Sequence, residues 1–324
     1  MTTIVKNIKV IQYPIPKDTL AICEKLGVLK HLPLTIPQSL EFELHNTTTA
    51  LANALCRCIN SELDVMIMDF NDEDVITDDS FIIVHALRKG INLIPLRQIQ
   101  SLTFGLNVFN NTDNIINVYA RDLSVDTKTS EELMSPCTVL TELRPGKRII
   151  INNIKMIKGT ACVNDAAYSF NNRVTYKCLD LGDETHPVSS MLAEPSTYKI
   201  GIVWQKYADP IVILKSAIKT LNDKLDKIYM NAKDKQHYSS DMEITNSNNV
   251  SIYKIFNESY TIGELLSRYG YIVDKTITNI HCSKLHPSYT YIVIEIHHQD
   301  PQSIILSAIE NIKKELAIID KAFK

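Results

Sequence analysis

The stretch that decides the fold is DPIVILKSAIKTLNDKL, Asp209 to Leu225, because it returns 91 residues later as DPQSIILSAIENIKKEL, Asp300 to Leu316. Seven of the 17 aligned positions are identical, where chance gives roughly one, so the segment reads as a duplicated element. Asp before Pro predicts a helix start. Asp caps the free amides of the first turn, and Pro at the first helical position loses no hydrogen bond. Steps of three and four then put Ile211, Leu214, Ile218, Leu221, Leu225 and Ile228 on one side of the first helix. They do the same for Ile305, Ile309, Ile312, Leu316, Ile319 and Phe323 in the second. One such stripe is satisfied by a helix lying on its own sheet. Two equivalent stripes point further, to helices that pack together about a pseudo-two-fold axis, as isologous dimers do.

A second pair precedes these helices: NTTTALANALCRCINSEL from Asn46 and NESYTIGELLSRYG from Asn257. Asn reads as the helix cap in both. Leu51, Leu55, Cys58, Ile59 and Leu63 share a face in the first, and Ile262, Leu265, Leu266 and Tyr269 in the second. A strand-like run, SLEFEL or VSIYKIF, stands before each. The order strand, capped helix, strands, DP-helix therefore occurs twice. The expected fold class is α+β: two dimerisation units of antiparallel strands plus two helices each, closed into an intramolecular pseudo-dimer.

Roughly 120 residues separate the two helices of the first copy, which predicts a β-rich inserted domain. The expected division is 1–70 with 190–229 for the first unit, 71–189 for the insert, 230–249 for a linker and 250–324 for the second unit. Within the insert, VITDDSFIIVHALRKGINLIPLRQ predicts a short helix and then a strand ending at Pro95. IINVYARDLSV reads as a strand, and LRPGKRIIINNIKMIKG as a turn at Pro145-Gly146 and a strand. SVDTKTSEELMSPC reads as a loop. The polar run from Met230 to Asn249 reads as flexible, spanning about 25 Å. Such a tether raises the effective concentration of the halves to about the millimolar range.

Bulk properties narrow the function classes. Of 324 residues, 45% are hydrophobic and 22% charged, a globular profile. No apolar window is long enough for a membrane span. MTTIVKNIKVIQ alternates like a first strand rather than a secretory signal, so an intracellular protein is expected. A net charge of −3 argues against direct nucleic-acid binding as the main role. Seven scattered cysteines, at 23, 56, 58, 137, 162, 178 and 282, suggest free thiols. Cys56 and Cys58 fall two apart on a helix and point to different faces, so they do not jointly hold zinc. The rival enzyme reading rests on His281, Cys282, His286, His297 and His298. Neighbours along a strand point to opposite faces, which weakens a Cys–His or metal site there. Nine glycines leave little room for a phosphate loop. A stand-alone dimerisation scaffold is the other alternative. No cofactor is expected.

Taken in order, the motifs resemble the α-type subunits of cellular RNA polymerases: the bacterial α N-terminal domain, the archaeal D and L subunits and their eukaryotic counterparts. NTTTALANAL is similar to that family's N-x-x-x-T-L-A-N-A-L-R-R helix, with Arg57 at the second Arg and Cys56 replacing the first. Ser61 and Glu62 match the S-E that follows, and Asp64 stands where Pro is usual. Leu87 to Leu96 (LRKGINLIPL) is similar to R-L-G-L-I-P-L, and Val118 to Leu123 (VYARDL) to V-x-S-x-D-L. Leu143 to Gly146 (LRPG) and Lys158-Gly159 match the next landmarks, and Ala166, Ala167 and Tyr168 stand where an H-A-x-W-like run falls. In the second half, Asn257, Glu258, Thr261, Ile262, Gly263, Leu265 and Leu266 resemble N-E-x-H-T-L-G-N-L-L. Tyr260 and Glu264 replace its His and Asn, and His286-Pro287 matches a later H-P. The cysteine cluster of some members is absent. The fused arrangement resembles the single-chain version in large nucleocytoplasmic DNA viruses.

The resemblance implies a non-catalytic assembly platform that docks the largest and second-largest polymerase subunits, with small accessory subunits as further partners. The catalytic groups lie on the largest subunit, so no catalytic or metal residue is expected here. DNA and RNA are met only through the complex, and no membrane is involved. The implied location is host cytoplasm or virion for a viral protein, otherwise nucleus or cytoplasm. Expected partner contacts are Asn53, Arg57, Glu62, Arg88 and Arg121, with the helix around Asn53 and Arg57 facing the second-largest subunit. Ile94 to Leu96 is a weaker candidate, and Arg121 with Asp122 reads equally as an internal pair. The expected dimer interface is Leu51, Leu55, Leu214, Ile218, Leu221, Leu225, Ile262, Leu266, Ile305, Ile309, Ile312 and Leu316.

Overall fold

Two apolar periods alternate along the chain, and the fold they produce is α+β. The computed structural model describes residues 2–14, 35–94, 102–125, 138–164, 166–168, 173–180, 195–203, 209–233, 239–247 and 250–323. Single positions 17, 21, 24, 25, 96 and 134 are also described. Strands β1 (Ile4–Pro14) and β2 (Thr35–His45) lead into helix α1 (Thr49–Arg57), which ends in a wider π-helical turn, Cys58–Glu62. Next come β3 (Val65–Asp69), β4 (Val75–Thr77), α2 (Val84–Asn92) and β5 (Thr103–Phe109). They are followed by β6 (Ile116–Tyr119), β7 (Leu123–Val125), β8 (Val139–Leu143) and β9 (Arg148–Gly159). β10 (Arg173–Cys178) and β11 (Thr197–Val203) precede the long helix α3 (Pro210–Lys233). The rest is β12 (Met242–Ser247), β13 (Val250–Phe256), α4 (Tyr260–Val273), β14 (Asn279–Ser283), β15 (Tyr291–His297) and α5 (Pro301–Ala322).

Two antiparallel sheets share one design: β1-β2-β11-β10 and β12-β13-β15-β14. Strict alternation explains which residues they bury. Leu40, Phe42 and Leu44 of β2 and Tyr198, Ile200 and Ile202 of β11 are buried, with Phe42 opposite Ile200. Tyr253 and Ile255 of β13 stand opposite Ile294 and Ile292 of β15 in the same way. Each sheet is followed by a short helix after its second strand in chain order and a long one after its last. A single cluster of buried apolar side chains joins both sheets and the helices α1, α3, α4 and α5. A separate cluster lies among β3-β9-β5-β7, β6-β8 and α2.

Several local expectations need correction. Asn46 and Asn257 are not the helix caps. Thr48 Oγ1 accepts from Leu51 N at 3.1 Å, and Ser259 Oγ accepts from Thr261 N at 3.3 Å. Both asparagines sit two residues earlier at φ 57°. Asn enters that left-handed region more cheaply than most residues, so one residue type serves two different purposes. Residues 230–249 are not a linker throughout, since α3 runs to Lys233 and Met242–Ser247 pairs with β13. The outer part of β12 is exposed, so it carries no apolar period. The expected bounds of 71 and 189 do not match the pairing either: β3, before residue 71, pairs with β9, and β10, before residue 189, joins β11 in the first sheet.

IINVYARDLSV is two strands rather than one, because a 3-10 turn at Ala120–Asp122 sends β6 to β8 and β7 to β5. Among the described residues the expected strand directly after α2, ending at Pro95, is not formed. Leu93 N and Ile94 N close its last turn on Lys89 O and Ile91 O. Pro95 lies outside the described residues, as does most of the expected loop (126–133 and 135–137). The turn at Pro145-Gly146 is present, with Gly146 at φ 69°.

Candidate interface seam and docking helix

The DP-helices are capped as their sequence predicts: Asp209 Oδ1 accepts from Ile211 N at 2.9 Å and Asp300 Oδ1 from Ser303 N at 3.2 Å. α3 and α5 then cross antiparallel. Tyr229 Oη donates to Glu310 Oε1 at 3.2 Å, Gln302 Nε2 donates to the Ala232 carbonyl at 2.8 Å, and Lys313 pairs with Asp226. α1 packs on α4 beside them. The structure brings Leu51, Leu55, Leu214, Ile218, Leu221 and Leu225 into the same buried cluster as Ile262, Leu266, Ile305, Ile309, Ile312 and Leu316. Just past α5, Phe323 sets its ring edge-on to Phe42 of β2, centroids 4.9 Å apart.

The seam also holds charges that sequence reasoning missed. Lys224 of α3 lies 3.0 Å from Glu62 and 2.9 Å from Glu258. Burial disfavours its ammonium, yet the two carboxylates outweigh that and hold its pKa above the ordinary lysine value. Glu258 also rises above its ordinary value: burial is the largest cause, Lys224 opposes it and Glu62 adds to it. These three residues are distant in sequence, and no spacing rule joins them. The available signal was that Glu62 and Glu258 each occupy a matched motif position. Elsewhere on the seam, Glu315 of α5 accepts from Thr47 Oγ1 at 3.1 Å and from Thr3 Oγ1. A cleft of about 760 Å³ opens there, with Thr47, Asn53, Glu264, Arg268, Tyr271 and Glu315 on its walls.

The expected partner contacts separate under this geometry. Arg57 is exposed in the last turn of α1, and Asn53 is half-buried on the cleft wall. Glu62 is not a surface residue: its side chain is 5% exposed, in the π-helical turn that ends α1, and faces Lys224. Arg88 is engaged internally, with Nε and an Nη donating to Asp69 at 2.6 and 2.8 Å. Burial works against the Asp69 carboxylate, but the Arg88 and Asn92 hydrogen bonds hold its pKa below the ordinary value. Arg121 lays its guanidinium over the Tyr119 ring at 4.4 Å, while Asp122 accepts from Tyr119 N at 2.7 Å. Ile94 is buried and Leu96 pairs with Met134. The LRPG landmark has a local structural role. Arg144 donates to buried Asp79 from its backbone at 3.0 Å and from its guanidinium at 2.9 Å. The Arg144 hydrogen bond is the main reason that the Asp79 carboxyl is held down to about 2.

The rival Cys–His set divides among three separate partners, with two of its histidines on one carboxylate. His297 and His281 lie 2.5 and 3.9 Å from Glu295, His286 bonds Ser288, and His298 pairs with Asp274. Cys282 abuts Gly263, and burial pushes its thiol up to about 12, as it does for Cys56. Among the described residues no group of three or more His, Cys, Asp or Glu is placed to hold a metal ion. No helix among them is long and apolar enough to cross a membrane.

One topology is thus written twice around a shared core, with Lys224, Glu62 and Glu258 meeting where the copies pack. Comparison with known proteins places subunits of one class of enzyme beside this fold. No family model matches the chain. It is similar to the DNA-directed RNA polymerase RPB3-11 homolog of African swine fever virus, isolate Warthog/Namibia: 26% identical over 330 aligned positions, 90% of this chain and 89% of the relative. The protein of the same name from a Tick/South Africa isolate is 25% identical, and that of a Badajoz strain 24%, with the same coverage. The resemblance carried by the motifs, to a fused α-like subunit of a large DNA virus, is met by these relatives.

Proposed function

We propose that this chain is the non-catalytic assembly subunit of a DNA-dependent RNA polymerase, in which two unequal α-like units pair within one polypeptide and dock the two large catalytic subunits. The repeated topology around one core carries this reading, together with similarity over nine-tenths of the chain to proteins named as polymerase RPB3-11 homologs. The first unit comprises β1, β2, α1, β10, β11 and α3; the second runs from β12 to α5. Between α1 and β10 the sheet of β3-β9-β5-β7 forms the inserted domain.

The docking surface is the outer face of α1. Arg57 is exposed there, and a guanidinium offers a fork of donors to a carboxylate or to backbone carbonyls of the second-largest subunit. Asn53 adds an amide beside it. Arg121, on the insert, is a secondary position. Glu62 and Arg88 are engaged internally and drop out of the docking set. Small accessory subunits bind elsewhere on the platform. The chain meets DNA and RNA through the assembled enzyme and works in the host cell or the virion.

The test is affinity purification of the tagged chain from its native source. Two large polymerase subunits in near-equal amounts are expected, and their absence rejects the proposal. Arg57→Glu is expected to lower recovery of the second-largest subunit about tenfold or more, since a charge-assisted interface contact is worth a few kcal/mol. The far-ultraviolet spectrum and monomer size of that variant stay unchanged.

A further inference from the structure

Two offsets place the halves in register. The DP-helices repeat at 91 residues, which makes Lys224 and Glu315 equivalent positions. The caps Thr48 and Ser259, and the starts of α1 and α4 at Thr49 and Tyr260, share an offset of 211, which makes Thr47 and Glu258 equivalent. Two of the contacts that cross between halves join these four positions. Lys224 meets Glu258 at 2.9 Å, and Glu315 meets Thr47 at 3.1 Å. One pair of equivalent contacts therefore has opposite chemistry on its two sides.

From this we infer that Lys224, Glu258, Glu315 and Thr47 select which half pairs with which, joining the unequal halves of one chain and rejecting pairing with the same half of a second copy. The inference rests on the intramolecular pair proposed above. If two second halves paired, each Glu315 would face the other's Glu258, carboxylate against carboxylate, with no lysine between them. If two first halves paired, each Lys224 would face Thr47 and lose the carboxylate supplied from across the seam. Only the mixed pair gives the lysine its second carboxylate and Glu315 its hydroxyls. The apolar stripes do not discriminate in this way, because leucine and isoleucine at equivalent positions serve either pairing. Specificity between similar surfaces needs such a repulsive element as well as an attractive one. A register or pairing role is the best-attested use of partly buried charge.

The full chain tests this by light scattering at about 100 µM, below the roughly millimolar effective concentration of a short tether. Glu258→Lys sets two lysines against each other in the mixed pair and supplies a lysine for Glu315 in the pair of second halves. It is expected to convert a chain that is under about one-tenth dimer into one that is over about half dimer. Glu258→Gln removes the attraction without creating the new pair; a lower thermal midpoint and no dimer are expected. The double variant K224E/E258K restores opposite charges across the seam, and the monomer is expected to return. A Glu258→Lys chain that stays monomeric, or that aggregates without forming dimer, overturns the pairing role, and so does a double variant that remains dimeric. A wild-type chain that is already dimeric overturns the intramolecular pair itself, which is a separate and distinguishable result.

Discussion

At position 224 the first long helix carries a lysine, and at the equivalent position 315 the second carries a glutamate. Around Lys224 the seam is closed: two carboxylates lie within 3.0 Å, and Glu62 is almost fully covered. Around Glu315 it is open, with threonine hydroxyls on the carboxylate and a cleft of about 760 Å³ beside it. A second contrast lies one layer away, where α1 has Ala52 and α4 has Gly263 at the same offset of 211. A β-carbon built on Gly263 would lie 2.1 Å from Cys282 Sγ, whereas the Ala52 methyl is simply buried. A duplicated backbone thus accepts unequal chemistry, and equivalent substitutions should have unequal costs.

The largest inequality is expected between Lys224→Met and Glu315→Gln. Removing the lysine leaves two covered carboxylates without their cation, which costs about 3–5 kcal/mol. The glutamine keeps a carbonyl for the threonines and costs about 1 kcal/mol. Chemical denaturation of the full chain measures both, and equal losses would break the comparison. Next, Gly263→Ala should destabilise by about 1–3 kcal/mol through overpacking against Cys282. The opposite change, Ala52→Gly, should cost only about 1 kcal/mol through helix propensity and the lost methyl.

A smaller, pH-dependent difference sharpens the first test. The folded pKa of Lys224 lies above its ordinary 10.5. Its contribution is therefore complete below that value and is lost as pH rises through the folded pKa. The stability gap between wild type and Lys224→Met should be constant from neutral pH to about 10 and narrow above it. The smallest effect is a predicted equality. Asn46→Ala and Asn257→Ala should each cost about 1 kcal/mol, because alanine lacks the short polar side chain that eases asparagine into the left-handed region, while glycine at either site is nearly neutral. Unequal costs at these two positions would show that the turns are less alike than their shared φ of 57° suggests.

Repetition and helical period were legible in the sequence because both are local. The stripe from Leu214 to Leu225 needs only the spacing of neighbours, and the Asp–Pro starts need only the first turn. What the sequence hid was long-range or had two meanings. Glu62 reads as a partner contact until Lys224, 162 residues later, is placed beside it. Arg88 reads as a partner contact until Asp69, at the end of β3, is placed beside it. Asn both caps helices and enters left-handed turns, and only the backbone decides between these roles. β12 escaped notice because an exposed edge strand needs no apolar alternation, and β10 because pairing partners are set by sheet order rather than by sequence distance.

The edge-on contact of Phe323 with Phe42 has a consequence in time. A ribosome delivers Phe42 281 residues before Phe323. At about 5–20 residues per second, the inner face of β2 waits roughly 15 to 60 seconds for that ring. N-terminal-first folding, the usual order during synthesis, would therefore bury Phe42 before its late partner exists. Until Phe323 is made, the Phe42 ring of the nascent chain lacks its edge-on aromatic partner.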